Sequence, residues 1–98
     1  MQVLMGDTIK LSAEFKSFSG VTVDPENITV KFMTGKGQQI GEIIPLNVSN
    51  HRVSAGIYIY EYVVPSEPNT IIYEFKGFVD GKPIVGRSVL NPVLVKDE

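Results

Sequence analysis

Turn-forming residues punctuate this chain at short, even intervals, and that spacing limits the fold more than any other feature. The breaks fall at Gly20, Asp24-Pro25-Glu26-Asn27, Gly35-Lys36-Gly37, Asn47 to Asn50, Ala55-Gly56, Pro65 to Asn69 and Asp80-Gly81. Steps of about 8–12 residues with turn chemistry at each are the pattern of an all-β sandwich or barrel. No stretch between breaks holds three turns of a period of about 3.6 residues, so helix is limited to a single turn.

Each interval reads as a strand. Over 8–15, Ile9, Leu11, Ala13 and Phe15 share one face and Thr8, Lys10, Ser12 and Glu14 the other. Over 28–33, Ile28, Val30 and Phe32 alternate with Thr29, Lys31 and Met33. A weaker strand near 39–46 contains Pro45, which places it at a sheet edge. A short strand covers 51–54, and the strongest, rich in β-branched and aromatic residues, cover 57–64 and 70–79. The last runs over 83–95, with a break expected near Gly86 or Asn91-Pro92. The sum is about seven strands in two antiparallel sheets.

Asp80-Gly81 is the signal of a two-residue type I′ hairpin, because both central residues need positive φ. Such a turn sets Val79 opposite Lys82, Phe78 opposite Pro83, Gly77 opposite Ile84 and Phe75 opposite Gly86. It also sets Glu74 opposite Arg87 and Ile72 opposite Val89. An opposite-charge pair and an aromatic lying over a glycine are both favourable cross-strand arrangements. Pro83 falls at a non-hydrogen-bonded position, where its missing N–H costs nothing within the hairpin.

Composition removes several function classes. A chain of 98 residues supports one core, so residues 1–98 form a single domain. With 43% hydrophobic residues the chain is not disordered, and with no cysteine it has no disulfide scaffold, thiolate metal site or cysteine nucleophile. One histidine excludes a multi-histidine metal site. Nine basic against eleven acidic residues leave no electrostatic footprint for nucleic acid. No run reaches the roughly 20 apolar residues of a bilayer span, so membrane insertion is not expected. Val3 to Met5 is too short for the apolar segment of a secretion signal. The expectation is cytosolic synthesis, either as a complete small soluble polypeptide or as a trimmed piece of a longer one.

The order of pieces carries a resemblance. Gly6-Asp7-Thr8-Ile9 opens the first strand, and Val23-Asp24-Pro25-Glu26-Asn27-Ile28-Thr29-Val30 leads into the second. Gly56-Ile57-Tyr58 starts a central strand ending at Pro65, and a strand–Asp-Gly–strand hairpin closes the chain. This resembles the immunoglobulin-like and fibronectin-type-III-like sandwiches of bacterial surface proteins and phage structural proteins, although the cysteines and tryptophan of antibody domains are absent. The resemblance implies an immunoglobulin-like β-sandwich serving as a non-enzymatic structural or adhesive module for protein–protein contact. It needs no cofactor, metal or small-molecule substrate. A freestanding domain of this kind looks like a phage or prophage virion-associated protein. The alternative is a carbohydrate- or surface-binding module of a bacterial extracellular protein, which would need exposed aromatic platforms.

Strand 57–64 is apolar on both faces apart from Glu61. If Tyr58, Tyr60 and Tyr62 pack inward, then Ile57, Ile59 and Val63, with Ile72 and Phe78 nearby, form an outer apolar stripe suited to a protein partner or self-association. If the isoleucines pack inward, the tyrosines form the interface instead. The two ends of such a sandwich gather loops near 16–27, 35–38, 47–50 and 65–69, so a loop-end site competes with either.

No catalytic constellation is visible. His51 has no local nucleophile or orienting carboxylate and reads as a solvent-exposed loop residue. Asp7, Asp24, Glu26 and Asp80 read as turn and Asx-capping residues, with no calcium-loop spacing among them. Glu42, Glu61 and Glu74 form no recognisable carboxylate pair. Gly35-Lys36-Gly37 lacks the longer glycine pattern of a phosphate loop and reads as a hairpin tip. The sequons Asn27-Ile28-Thr29 and Asn47-Val48-Ser49 read as chance matches.

Overall fold

The computed structural model describes residues 1–95 of the 98. The strands are β1 (Gln2–Leu4), β2 (Thr8–Glu14), β3 (Glu26–Thr34), β4 (Gln39–Pro45), β5 (Arg52–Ser54), β6 (Ile57–Val63), β7 (Ile71–Val79) and β8 (Lys82–Val93). A single helical turn, α1 (Val48–His51), precedes β5. One sheet has the order β1-β8-β7-β3-β4 and the other β2-β6-β5. All neighbours are antiparallel except β1 and β8. The architecture is all-β, in two layers.

The inward residues of both sheets meet in one cluster. Leu11, Phe15 and Tyr58 come from the β2–β6 side, and Val30, Phe32, Phe75 and Leu90 from the larger sheet, all nearly inaccessible to water. The alternation in 8–15 and 28–33 produces this directly, since a period of two puts every second side chain on the buried face.

The Asp80-Gly81 hairpin forms in the expected register, from Val79↔Lys82 through Ile72↔Val89. Both turn residues take positive φ, 52° at Asp80 and 75° at Gly81. Pro45 lies in β4, an edge strand as its missing N–H requires.

Two boundaries differ from the sequence expectation. The last strand does not break at Gly86 or at Asn91-Pro92 but runs unbroken from Lys82 to Val93. Gly86 sits opposite Phe75 without disturbing the register. Pro92 is tolerated because β7 pairs no further than Leu90, and β1 bonds to the flanking residues: Asn91 N–H donates to the Met1 carbonyl at 2.8 Å and Met5 N–H to that of Val93 at 3.0 Å. The strand beyond the expected seven is β1, whose three residues are too few to show alternation.

Gly77 lies at a close approach between β7 and the start of β3. A Cβ built there would lie 2.6 Å from Pro25 Cβ and 3.4 Å from Ile28 Cγ1. Overpacking of this kind costs about 1–3 kcal/mol. Gly77→Ala is therefore expected to lower stability by about that amount in urea unfolding, with an unchanged m-value.

Candidate functional site

The three tyrosines of β6 face the core. Tyr58 is 1% exposed, and Tyr60 and Tyr62 pack against the buried cluster. The Tyr62 ring stacks on Phe32 of the opposite sheet at 4.1 Å, and Tyr58 meets Phe15 edge-on at 6.0 Å. Burial pushes the phenols of Tyr62 and Tyr58 above the usual tyrosine range. The alternative interface of Tyr58, Tyr60 and Tyr62 on the outer surface is therefore corrected. The inward aromatic contacts decide the parity of β6.

Ile57, Ile59 and Val63 consequently point away from the core, on the outer face of the three-stranded sheet. Ile57 and Ile59 are half-buried and Val63 is 63% exposed. Their cross-strand neighbours on β2 are Glu14, Ser12 and Thr8, so this stripe has a polar border. Ile72 and Phe78 belong to β7, in the other sheet, and face outward on the opposite side of the molecule. The expected five-residue stripe is thus two separate patches.

The patch on the five-stranded sheet gathers around Ile72. Its cross-strand neighbours are Met33 on β3 and Val89 on β8, which makes an apolar row across the outer face of the five-stranded sheet. The adjacent row is ionic: Glu74 lies between Lys31 and Arg87. Arg87 Nε donates to Glu74 Oε2 at 2.6 Å, and Lys31 Nζ is 3.8 Å from Oε1. Glu74 is 6% exposed, so its carboxylate is held by two cations in a structural role. Farther along, Lys76 Nζ sits over the Phe78 ring at 5.4 Å. Ile43 (49%), Val85 (42%) and Val89 (40%) are the most exposed large apolar side chains here. Sequence reading missed Met33, Ile43, Val85 and Val89, although the hairpin register already placed Val89 opposite Ile72.

Asp24 does more than cap a turn. Its carboxylate accepts hydrogen bonds from Arg52 Nε at 3.1 Å, Arg52 Nη2 at 3.2 Å, Gly56 N–H at 2.9 Å and the Tyr58 hydroxyl at 3.2 Å. It thereby ties the β2–β3 connection to β5 and β6. Gly56 completes the joint, with φ of +74° and a backbone so close to the Phe15 and Val23 carbonyls that a Cβ would meet them at 2.8 and 2.9 Å. The Arg52 hydrogen bond, followed by that from Gly56, holds the Asp24 carboxyl below the usual aspartate range.

The remaining polar residues have local duties. His51 ends α1 half-buried, not as a free loop residue: its Nδ1 accepts from Asn47 N–H at 3.1 Å and its ring stacks on Tyr60. The hollow of about 240 Å³ beside it is lined by Asn50, His51, Ile59, Tyr60 and Glu61, with no serine, threonine or cysteine. Asp7 accepts from Thr8 N–H, Glu26 pairs with Phe78 on β7, and Lys36 N–H donates to the Thr34 hydroxyl at the β3–β4 hairpin tip. Among the described residues, no group of three or more His, Cys, Asp or Glu side chains could hold a metal ion. No helix of the described residues is long and apolar enough to cross a membrane.

The connections fall at different ends of the sandwich. Residues 35–38 and 65–69 adjoin each other, sharing a depression of about 340 Å³ that includes Lys36 and Asn69. The 16–22 segment lies by the β7–β8 turn, where Phe18 is 94% exposed beside a hollow of about 180 Å³ that includes Lys82 and Ile84. Ser17 and Val21 close this segment by a backbone bond of 2.8 Å, which holds Phe18 at its tip. Residues 47–50 lie along β6 through α1.

Comparison with family models, curated proteins and solved structures gave no match.

The Asp24 joint has a definite pH signature. A carboxyl whose folded pKa is depressed stabilises the fold above its unfolded pKa, and that contribution is lost as pH falls through the lowered folded value. Asp24→Asn is expected to lower the thermal midpoint at neutral pH. Melts of the two proteins should converge as pH falls below the lowered folded value, where both side chains are neutral.

Proposed function

We propose that this chain is an immunoglobulin-like β-sandwich acting as a non-enzymatic structural or adhesive module through protein–protein contact. Support for the fold comes from strand order. With β2 to β8 taken as B, C, C′, D, E, F and G, the sheets read G-F-C-C′ and B-E-D, the arrangement of variable-type immunoglobulin sandwiches. β1 then stands as a short first strand on the G edge.

The function rests on one observation, the outer face of the five-stranded sheet. An apolar row of Met33, Ile72 and Val89 runs beside an ionic row whose acid is paired with two cations; Ile43 and Val85 are exposed on the same face, Val85 beyond the ionic row opposite Lys76. Apolar and aromatic centres with satisfied polar groups are what protein interfaces use. The resemblance supplies the setting, a virion or a bacterial surface. The protein is expected to co-purify with a larger assembly, and Ile43→Glu should weaken that association at least about tenfold. A wild type that joins no assembly, or an association indifferent to Ile43→Glu, would overturn the reading.

Phe18 favours a second reading, a carbohydrate- or surface-binding module. Its ring is almost fully exposed on a closed turn, beside a hollow carrying Lys82. Glycan-array binding that disappears in Phe18→Ala is the expected outcome under this reading, and an array without hits removes it.

A further inference from the structure

The connection between β4 and β5 closes on itself through Asn47 and His51. Asn47 is the N-cap of α1, and its Oδ1 accepts from Asn50 N–H at 2.8 Å. His51 bonds back to Asn47 twice. Its N–H donates to the Asn47 carbonyl at 3.0 Å, and its Nδ1 accepts from Asn47 N–H at 3.1 Å. This is a capping box in which an imidazole nitrogen stands where a Glu or Gln oxygen usually does. An accepting Nδ1 is unprotonated, so the ring is neutral and carries its proton on Nε2.

No residue of α1 is buried, and an isolated turn is marginal in water, so these bonds carry its order. The His51 ring adds a stack on Tyr60, with centroids 6.1 Å apart. Both flanks are fixed independently of the cap. Leu46 is buried and its N–H donates to the Ile28 carbonyl at 2.8 Å. Arg52 Nε is held by the Asp24 carboxylate at 3.1 Å. Residues 47–51 can therefore open while both sheets stay in place.

Protonation reverses the chemistry of this cap. Histidine is the side chain that changes charge between about pH 5 and 8. Imidazolium has two N–H donors and no acceptor, so a protonated Nδ1 would set two donors against each other across the 3.1 Å contact with Asn47. β6, the strand packed against α1, contributes Tyr60 and Glu61, which line the hollow of about 240 Å³ at the ring. Glu61 gives a released cation a carboxylate to face, and its own cross-strand neighbour is Lys10 of β2. Arg52, next in the chain, is engaged by Asp24. One turn sums few peptide dipoles, so the macrodipole holds a cation at its last residue only weakly. We propose that His51 is a pH switch. Neutral, it closes residues 47–51 over Tyr60; protonated, it opens that turn and uncovers the Tyr60 ring.

Solution NMR of the isotope-labelled full chain tests this directly. At about pH 8 the His51 ring should be the Nε2–H tautomer, with a nitrogen–nitrogen coupling across its hydrogen bond from Asn47. By about pH 5 that coupling should be lost, and the α-carbon shifts of residues 48–51 should move to coil values. His51→Gln supplies a capping oxygen that does not titrate, so its α1 shifts should stay helical over the same range. A coupling that survives at about pH 5 overturns the proposal. So does an Nδ1–H tautomer at the higher pH, or the same loss of helical shifts in His51→Gln.

Discussion

The contact between Tyr62 and Phe32 joins the two layers, and the rest of the sandwich depends on it. It is the closest aromatic pair in the described residues, stacked at 4.1 Å across the gap between sheets. Such pairs add about 0.5–1.5 kcal/mol beyond the area they bury. Its larger effect is on parity. Because side chains alternate along a strand, turning Tyr62 inward turns Tyr58 and Tyr60 inward with it, and sends Ile57, Ile59 and Val63 out. Tyr58 then reaches Phe15 with its ring and Asp24 with its hydroxyl, so one strand face organises both the core and the loop joint.

Polar groups reinforce this arrangement from outside. Asp24 draws Arg52, Gly56 and Tyr58 to one carboxylate and so fixes where the β2–β3 connection crosses the end of β6. On the far side, Glu74 lies in the outer face of the larger sheet, charged but covered, with Arg87 and Lys31 on the flanking strands. Removing either cation would leave a nearly buried carboxylate undercompensated, so the ionic row also fixes the register of β3, β7 and β8. The apolar row beside it has no such internal partner, which is why the assembly reading rests on this sheet.

Most strands were legible because alternation and turn chemistry are local. The Asp80-Gly81 register was fully legible, since a two-residue turn dictates every pair behind it. β1 was not, because a three-residue strand exists only through its partner β8. The continuity of β8 through Pro92 was also hidden: whether a proline breaks a strand depends on which neighbour would have received its N–H. The candidate interface was half legible. The sequence showed an apolar surplus in 57–64 and 70–79, but not that the two strands lie in different sheets, which splits Ile57, Ile59 and Val63 from Ile72 and Phe78.

What the sequence determined by itself was therefore the class of fold, the hairpin register and the absence of cysteine chemistry, each a property of near neighbours along the chain. Tertiary structure decided which face of β6 is buried, what Asp24 binds, and what the His51 ring stacks on. Those outcomes depend on groups that meet only after distant segments pack, as Asp24 and Tyr58 do across 34 residues of chain. Periodicity shows that a strand has two faces. Only the opposing sheet decides which one meets water.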